Sequence, residues 1–317
     1  MDLLFFLVQK TMLFSIPLLV VALGGMFSER SGIVNIALDG IMIFGAFCSV
    51  MFLNIMQDYM SGQLLLILAI FVAGISGVII SLLHGYASIN LNADQVISGT
   101  AINLLAPALA IYVARMVQGV QQITFDNTFR LREVPILSDI PIVGPMFFKQ
   151  AYITTYIGFG ILVIAVIVLY KTRFGLRLRA CGEHPQAADS VGINVYKMRY
   201  AGVMISGFLG GLGGLIFVVP TSTEFNSTVS GYGFLALAVM IFGNWKPLPI
   251  LGAALFFGVM KTIAAAYSGI PWLLELNIDS AFFKMTPYVA TLIVLAFTSK
   301  KSQAPRAEGI PYDKGQR

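Results

Sequence analysis

The sequence is poor in the residues that build catalytic and metal sites. Among its 317 residues are two cysteines and two histidines, and only 11% of the residues are charged. Cys48 and Cys181 offer neither a disulfide framework nor the paired spacing of a metal site, so we expect both to be packing residues. His84 and His184 are not spaced as metal ligands with acidic or cysteine partners. No arrangement of serine, histidine and aspartate for nucleophilic catalysis is evident, which makes a membrane enzyme the weakest functional hypothesis.

The chain also lacks the phosphate-binding pattern G-x-x-x-x-G-K-[ST]. We therefore expect it to be no enzyme and to bind no cofactor or metal itself. Any ATP-driven work would need another subunit to bind ATP and magnesium.

Apolar residues are what the sequence has in abundance. They make up 57% of the chain and give it a mean hydropathy of +0.84, whereas a soluble domain usually has about 25% charged residues. The apolar runs approach the length of about 20 residues that a helix needs to cross a hydrocarbon layer of about 30 Å. The sequence thus predicts an all-α, polytopic membrane helix bundle with about nine membrane segments. The predicted segments are 11–27, 34–55, 64–83, 95–117, 152–170, 200–219, 233–244, 249–268 and 285–298.

Two of these segments differ from an ordinary span in length or in position. The seventh, 233–244, is too short to cross the bilayer in regular form. The first, 11–27, has no basic cluster before it and no small-residue cleavage site after it, so we expect a retained span and not a signal peptide.

The distribution of basic residues predicts the orientation of the chain. Placing the polar loop 171–199 in the cytoplasm puts thirteen of the twenty basic residues on that side. The N-terminus is then outside and the C-terminus inside, with a transmembrane domain over 1–299 and a cytoplasmic tail over 300–317. The loop 118–150 falls on the outer side, either as a short ordered lid or as a plain connector. Because the basic residues are spread between spans, we expect membrane lipid around the chain and no nucleic-acid partner.

Three segments interrupt the apolar helices with polar residues, and they are 26–45, 92–107 and 220–247. Irregular polar backbone survives at membrane depth only where protein or a water-filled cavity surrounds it. The residues Met42–Gly45 recur as Met240–Gly243, and the predicted topology sends the two copies in opposite directions. We therefore expect an inverted repeat with broken helices, which transporters place near the membrane midplane.

The first two of these segments carry polar side chains that are costly in a membrane. Asn35 and Asp39 lie one helical turn apart on one face, which favours a polar pathway or an ion pair. Asn103 either lines the pathway or joins two helices by hydrogen bonds. Glu29 and Arg30 either belong to the same polar pathway or form the turn between two spans.

The polar loop contains a predicted short helix from Pro185 to Val191. Pro185 suits the first turn, and Gly192 suits the left-handed C-terminal cap. One side of the helix is small and apolar, which favours docking into a groove of another protein. The alternative is an interfacial helix on lipid headgroups, although such helices normally have larger apolar residues and a basic polar face. The predicted apolar face consists of Ala187, Ala188 and Val191, and the polar side of Glu183, Gln186 and Asp189.

This loop carries a family resemblance. Gln186-Ala187-Ala188-x-x-x-Gly192 resembles the EAA-x3-G loop of ABC importer permeases, with Gln in place of the usual Glu and no downstream Ile-x-Leu-Pro. The chain as a whole, from about residue 11 to the C-terminus, resembles the smaller permease of nucleoside ABC importers, in the branched-chain amino acid/ribose permease superfamily. The segments that carry this wider resemblance are FSERSGIVNIALDGIMIFGAF, NADQVISGTAINLL, RACGEHPQAADSVGINVYKMRYAGVMISGFLGGLGG and GIPYDKGQR.

The resemblance implies a complex in the bacterial cell membrane that imports nucleosides by alternating access. Its other members would be a second, homologous permease, cytoplasmic ATPase subunits that bind ATP and magnesium, and an extracytoplasmic substrate-binding lipoprotein. The residues implied to contact the ATPase are Glu183, Pro185, Gln186, Ala187, Ala188, Asp189 and Gly192.

The predicted lining of the pathway consists of polar side chains and three phenylalanine rings, and the rings would stack on a nucleoside base. The full set is Asn35, Asp39, Asn103, Glu224, Asn226, Phe44, Phe234 and Phe242. Ribose, another simple sugar or a branched-chain amino acid stays open as the substrate, because a fold does not fix its substrate. A secondary transporter or channel, which would function alone, is the alternative from a different class.

Overall fold

The computed structural model of the chain describes residues 2–266 and 303–315, together with 282, 285, 286 and 289–292. Seven of its helices are long and apolar enough to cross a membrane, and an eighth, α9, is apolar but short. The predicted polytopic helix bundle is confirmed, while most of the predicted segment 285–298 lies outside the described residues. The helices in chain order are α1 (Asp2–Glu29), α2 (Leu38–Met56), α3 (Gln63–Ile89), α4 (Gln95–Gln118), α5 (Ile153–Lys171), α6 (Arg173–Glu183), α7 (Pro185–Ser190), α8 (Val195–Thr221), α9 (Tyr232–Phe242) and α10 (Pro247–Ala266).

Several helices extend beyond the predicted apolar runs. Helix α1 begins at Asp2 and not at residue 11, because polar residues in its first turns still find partners: the Gln9 side chain donates to the Pro145 carbonyl at 2.7 Å. Helix α8 begins at Val195, where the Asn194 side chain accepts from the Lys197 amide at 2.9 Å. The predicted polar loop 171–199 is therefore mostly helical and ends inside α8.

The centre of the bundle is formed by α1, α2, α3 and α8, which surround one large apolar core. Helices α2 and α8 meet at Gly45 and Gly211, where a Cβ atom on Gly45 would lie 2.3 Å from the Gly211 Cα. Only glycine allows backbones this close, which is how membrane helices commonly associate.

One end of the bundle, called here the lid end, carries the segment 119–152. Three short strands of this segment and one strand that follows α8 form two antiparallel pairs: β1 (Ile123–Thr124) with β4 (Glu224–Phe225), and β2 (Arg130–Glu133) with β3 (Lys149–Tyr152). A 3-10 turn, Leu137–Asp139, and a π-helical turn, Gly144–Phe148, lie between β2 and β3. The segment therefore has regular structure, although the sequence did not predict the strands.

The other end, called here the basic end, gathers the turn after α1, the helices α6 and α7, and residues 303–315. Hydrogen bonds join these parts: the Ala307 amide donates to the Gly182 carbonyl at 2.8 Å, and the Gly309 amide donates to the Gly32 carbonyl at 3.2 Å. The bundle therefore has two structurally distinct ends.

Candidate functional site

Residues 30–37, called here the broken segment, connect α1 to α2 without forming a helix. Ile33, Asn35 and Ala37 in this segment are completely buried. Backbone in that position cannot bond to water, so its amides and carbonyls need partners from the protein. The neighbouring helices α3 and α4 supply them.

The first partners are side chains at the end of α3 and the start of α4. His84 Nε2 lies 2.8 Å from the Val34 carbonyl oxygen, and the Val34 amide donates to Gln95 Oε1 at 2.7 Å. Because a carbonyl only accepts, the His84 proton is on Nε2, and Nδ1 accepts from the Ser98 hydroxyl at 3.1 Å. Sequence reasoning missed the roles of His84 and Gln95, since nothing local to either residue indicates a partner in the broken segment.

Asn103 on α4 uses both ends of its amide on the same stretch of backbone. Its Oδ1 accepts from the Gly40 amide at 2.7 Å, and its Nδ2 donates to the Ile36 carbonyl at 2.9 Å. Of the two predicted roles, this geometry is that of a residue that joins helices. At the start of α4, the Asp94 carboxylate caps the helix by accepting from the Val96 and Ile97 amides.

Asn35 points into the bundle and not along its surface. Its Nδ2 donates to the Ser206 hydroxyl of α8 at 2.8 Å, and its Oδ1 accepts from the Ala37 amide at 3.2 Å. The broken segment is thus attached to α8 as well as to α3 and α4. Ser206 was not among the predicted site residues.

Asp39, in the first turn of α2, contacts the first turn of α9. Its Oδ1 accepts from the Gly233 amide at 2.9 Å, and a Cβ atom on Gly233 would lie 2.2 Å from the Asp39 Cα. The N-termini of two helices therefore meet at one carboxylate. Helix N-termini carry partial positive charge, which a carboxylate stabilises.

Helices α2 and α9, whose first turns meet at Asp39, run to opposite ends of the bundle. The last turn of α2 reaches the lid, where the Asn54 side chain donates to the Thr124 carbonyl at 2.8 Å. The turn after α9 reaches the basic end, where Trp245 contacts Glu29. With eleven residues, α9 is about 16 Å long, which is about half the thickness of a hydrocarbon layer.

Two helices that are broken inside the bundle therefore begin side by side. The four-residue identity that suggested the repeat does not mark equivalent positions, however. Met42–Gly45 lies near the start of α2, whereas Met240–Gly243 lies at the end of α9.

Glu29 and Arg30 form the turn at the basic end, together with a residue that the sequence did not indicate. The buried Glu29 carboxylate accepts from the Trp245 indole, and Arg30 donates to the Trp245 carbonyl from Nε at 3.2 Å and Nη2 at 3.1 Å. Asn244 and Trp245 have left-handed backbone, with φ of 49° and 53°, which costs free energy in residues other than glycine. The bonds from Glu29 and Arg30 stabilise that tight turn. Burial lowers the pKa of the Arg30 guanidinium from its ordinary value.

The remaining predicted pathway residues lie elsewhere. Glu224 pairs with Thr124 in the lid sheet, and Asn226 is exposed beside it. The Phe242 ring stacks on Phe257 with centroids 5.4 Å apart, Phe44 packs against the apolar core, and Phe234 is 50% exposed. Only Asn35, Asp39 and Asn103 are brought together, because composition alone does not predict which way a ring or amide faces.

A cavity of about 560 Å³ lies at the lid end, between α1, α5 and the lid. Its walls are mainly apolar and aromatic, and they include Phe147, Tyr156 and Phe159. None of the eight predicted pathway residues lines it. The cavity is therefore separate from the cluster around the broken segment.

The short helix at the basic end is confirmed as α7. Pro185 is its first residue, and Gly192 has the left-handed φ of 82°. The Gly192 amide donates to the Asp189 carbonyl at 2.9 Å, and the Ile193 amide donates to the Ala188 carbonyl at 3.1 Å. These bonds satisfy carbonyls at the end of the helix, as a glycine cap does.

The prediction that Ala187, Ala188 and Val191 share one outward apolar face is wrong, because Ala188 faces inward. Its side chain is 4% exposed and packs in a small cluster with Cys181, Val195 and Tyr312, whereas Ala187 and Val191 are exposed. The inward face is covered by Tyr312, a residue too distant along the chain for the local pattern to reveal. Burial raises the pKa of the Cys181 thiol to about 11, so this cysteine is a packing residue, as predicted.

The other predicted coupling residues divide in the same way. Gln186 is exposed, Asp189 is half-buried, and Pro185 is buried. The Glu183 carboxylate lies 3.8 Å from Arg30. The exposed residues of α7 and its C-cap are thus Gln186, Ala187, Ser190 and Val191.

A family model described as branched-chain amino acid transport system/permease component matches residues 7–296 of the chain. The chain belongs to this family. It is 44% identical to the guanosine ABC transporter permease protein NupQ of Bacillus subtilis, over 98% of this chain and 97% of that protein. It is also 44% identical to the nucleoside ABC transporter permease protein NupC of Lactococcus lactis, over 97% of this chain and 96% of that protein.

A second permease of Lactococcus lactis, the nucleoside ABC transporter permease protein NupB, is 24% identical over 95% of this chain and 84% of its own length. No solved structure matches the chain. Membership of this permease family and the apolar helices together identify a multi-pass membrane protein.

We predict that Asn103→Ala destabilises this permease. The change leaves the Gly40 amide and the Ile36 carbonyl without their partner, at a cost of about 1–3 kcal/mol for each unsatisfied buried group. The melting temperature of the purified protein in detergent should fall clearly. The matched control is Thr100→Ala on the same helix, whose exposed hydroxyl bonds to the Val96 carbonyl within α4. Equal melting temperatures for the two variants would contradict the role given to Asn103.

Proposed function

We propose that this chain is a membrane-spanning permease subunit of an ATP-driven importer that moves nucleosides into the bacterial cell. Identity of 44% over nearly the whole length to permeases named for guanosine and nucleosides supports this substrate class. In the structure, the observation that carries the proposal is the meeting of two broken helices at Asp39 inside the bundle. Sugars and branched-chain amino acids are not favoured as substrates, since neither relative is named for them.

The Asp39 carboxylate holds the first turns of the two broken helices, α2 and α9, together. Transporters with such repeats switch access when one group of helices rocks against another around a midplane site. Because Asp39 joins α2 to α9 by a charge-assisted bond to the Gly233 amide, the two helices move together only while that bond holds. The polar cluster of Asn35, Asp39 and Asn103 then borders the substrate path, with Asn35 and Asn103 holding its backbone.

The basic end faces the cytoplasm in this proposal. Arg30, α6, α7 and residues 303–315 all lie there, and basic loops favour the cytoplasmic side. The N-terminus is then outside and the lid end faces the substrate-binding lipoprotein. The exposed side of α7 is the contact for the ATPase, which binds ATP and magnesium.

The second permease of the complex is a homologue and not a copy of this chain. Lactococcus lactis has two nucleoside ABC transporter permease proteins, of which NupC is much more similar to this chain than NupB, at 44% against 24% identity. This difference supports a heterodimer in which this chain takes the place of NupC.

Uptake of labelled guanosine tests the substrate class. In a deletion strain that regains the whole importer, unlabelled nucleosides should compete with the label, whereas ribose, glucose and leucine should not. The physical reason is that recognition of a base by stacking and hydrogen bonds is not met by a sugar or an aliphatic side chain. Competition by ribose or leucine alone would contradict the proposal.

Asp39→Ala tests the meeting point of the broken helices. It removes the acceptor of the Gly233 amide, a bond of the charge-assisted kind. We expect the uptake rate to fall by about tenfold, the factor that corresponds to about 1.4 kcal/mol. Uptake is measured per molecule of permease in the membrane, and Asp39→Asn, which keeps an acceptor oxygen, should lose less. Asp58→Ala, at an exposed carboxylate, serves as the control. An unchanged rate for Asp39→Ala would remove Asp39 from the mechanism.

Val191→Glu tests the ATPase contact. Val191 is 75% exposed on the outer surface of α7, and a charge there must be desolvated when a partner covers it. The ATPase should no longer co-purify with the permease. Val120→Glu introduces the same charge at a residue that is 54% exposed at the lid end and should leave co-purification intact. Retention of the ATPase by Val191→Glu would exclude α7 as the docking surface.

A further inference from the structure

Residues 303–315, called here the strap, lie across the basic end and do not extend away from it. Within the strap, Pro305, Ala307 and Tyr312 are buried. Backbone atoms of the strap form hydrogen bonds with four other parts of the chain. The bonded pairs are Gln303 with Asn244 at 3.3 Å, Ala307 with Gly182 at 2.8 Å, Gly309 with Gly32 at 3.2 Å, Ile310 with Arg199 at 3.0 Å and Tyr312 with Tyr196 at 3.4 Å.

The strap bears on both the helix α7 and the broken segment. Tyr312 covers the inward face of α7 through the cluster that contains Ala188 and Cys181. At the other contact, the Gly309 amide bonds to the Gly32 carbonyl, and a Cβ atom on Gly309 would lie 3.4 Å from the Val34 side chain. A displacement of α7 relative to the bundle therefore has to displace the strap, which touches the broken segment directly.

Arg199 of α8 anchors the strap from below. Its side chain is 1% exposed, its Nη2 donates to the Ile310 carbonyl, and its guanidinium lies 5.9 Å from the centre of the Tyr312 ring. A Cβ atom on Gly32 would lie 3.1 Å from the same Nη2. Arg199 thus touches the strap and the broken segment at once.

Arg199 is an expensive residue to bury. Its Nε has no hydrogen-bond partner in the described part of the chain, and no carboxylate there forms a salt bridge with it. A buried charge without a paired carboxylate costs stability. Packing alone would be served better by an apolar side chain, so the position of the guanidinium between the strap and Gly32 indicates a positioning role.

A second contact joins the strap to the end of α1. The Glu308 carboxyl of the strap lies close to the buried Glu29 carboxylate, which accepts from the Trp245 indole. Burial raises the pKa of the Glu308 carboxyl. The strap therefore contacts the end of α1, and the Gln303–Asn244 bond connects it to the turn that follows α9.

We infer that the strap transmits the movement of α6 and α7 to the broken segment, with Arg199 as the positioning residue that holds the strap against Gly32. The inference rests on the proposed function, because it presumes that an ATPase moves α7. It assigns the strap a role in coupling ATP hydrolysis to substrate movement, and not in docking the ATPase.

The test compares two variants in the complete importer, reconstituted in vesicles with its ATPase, second permease and binding protein. Arg199→Lys keeps the charge but loses the guanidinium geometry, and truncation after Ser302 removes the strap. We expect the number of nucleosides moved per ATP to fall by about tenfold in both, within the range of coupling between distant sites. The ATPase should still co-purify. Arg306→Lys, at an exposed position of the strap, should behave as the unmodified protein.

Hydrogen exchange of the backbone amides in residues 30–37 distinguishes a positioning role of Arg199 from a purely structural one. A purely structural role would leave the response of these amides to ATP unchanged. In the unmodified importer, exchange in this segment should change on addition of ATP, and in Arg199→Lys it should not. An unchanged transport ratio, or an ATP response of the segment that survives in Arg199→Lys, would overturn the inference. Loss of the ATPase on truncation would also overturn it, because the strap would then belong to the docking surface.

Failure of the proposed function gives a different result. The unmodified complex would then bind no ATPase or move no nucleoside. If truncation prevents folding, as judged by the melting temperature, Arg199→Lys alone decides the outcome.

Discussion

The structure depends on satisfying a stretch of backbone that is not helical and yet lies inside the bundle. The amides and carbonyls of the broken segment cannot bond to water or lipid there. The side chains of His84, Gln95 and Asn103 supply the hydrogen-bond partners that water would otherwise provide. The ends of α3 and α4 are thereby fixed against the start of α2, and the direction in which α2 leaves the segment follows from these contacts.

Asp39 carries this constraint into the second half of the chain. Since the start of α2 is fixed by Asn103, the Asp39 carboxylate is held where the first turn of α9 arrives. Glycine at position 233 lets the two backbones touch. The short length of α9 then places Trp245 beside Glu29 and Arg30. Polar contacts inside the bundle thus determine the geometry of its basic end.

The features that could be predicted from the sequence are local ones. Apolar length identifies the spans, and it also identifies α9 as too short to cross. Capping chemistry identifies Pro185 and Gly192 at the two ends of α7. These signals need only neighbouring residues, because helix length and caps are set within a few turns of chain.

The features that could not be predicted depend on contacts between distant parts of the chain. Ala188 and Val191 look equivalent in a helical pattern, yet Tyr312 covers only Ala188. Asn103 suits a pathway and a helix contact equally well until Ile36 and Gly40 are seen beside it. The phenylalanines give no local sign of direction, which is why the predicted stacking set does not converge.

The division of α7 into two faces changes what a partner protein meets. Glu183, the acidic residue before the helix, lies near Arg30 of the same chain, so it serves a contact within the permease. The outer surface of Gln186, Ala187 and Val191 carries no charge. In the proposed function, the ATPase would therefore meet the uncharged Gln186 in place of the usual glutamate, with the half-buried Asp189 as the charged side chain of this helix.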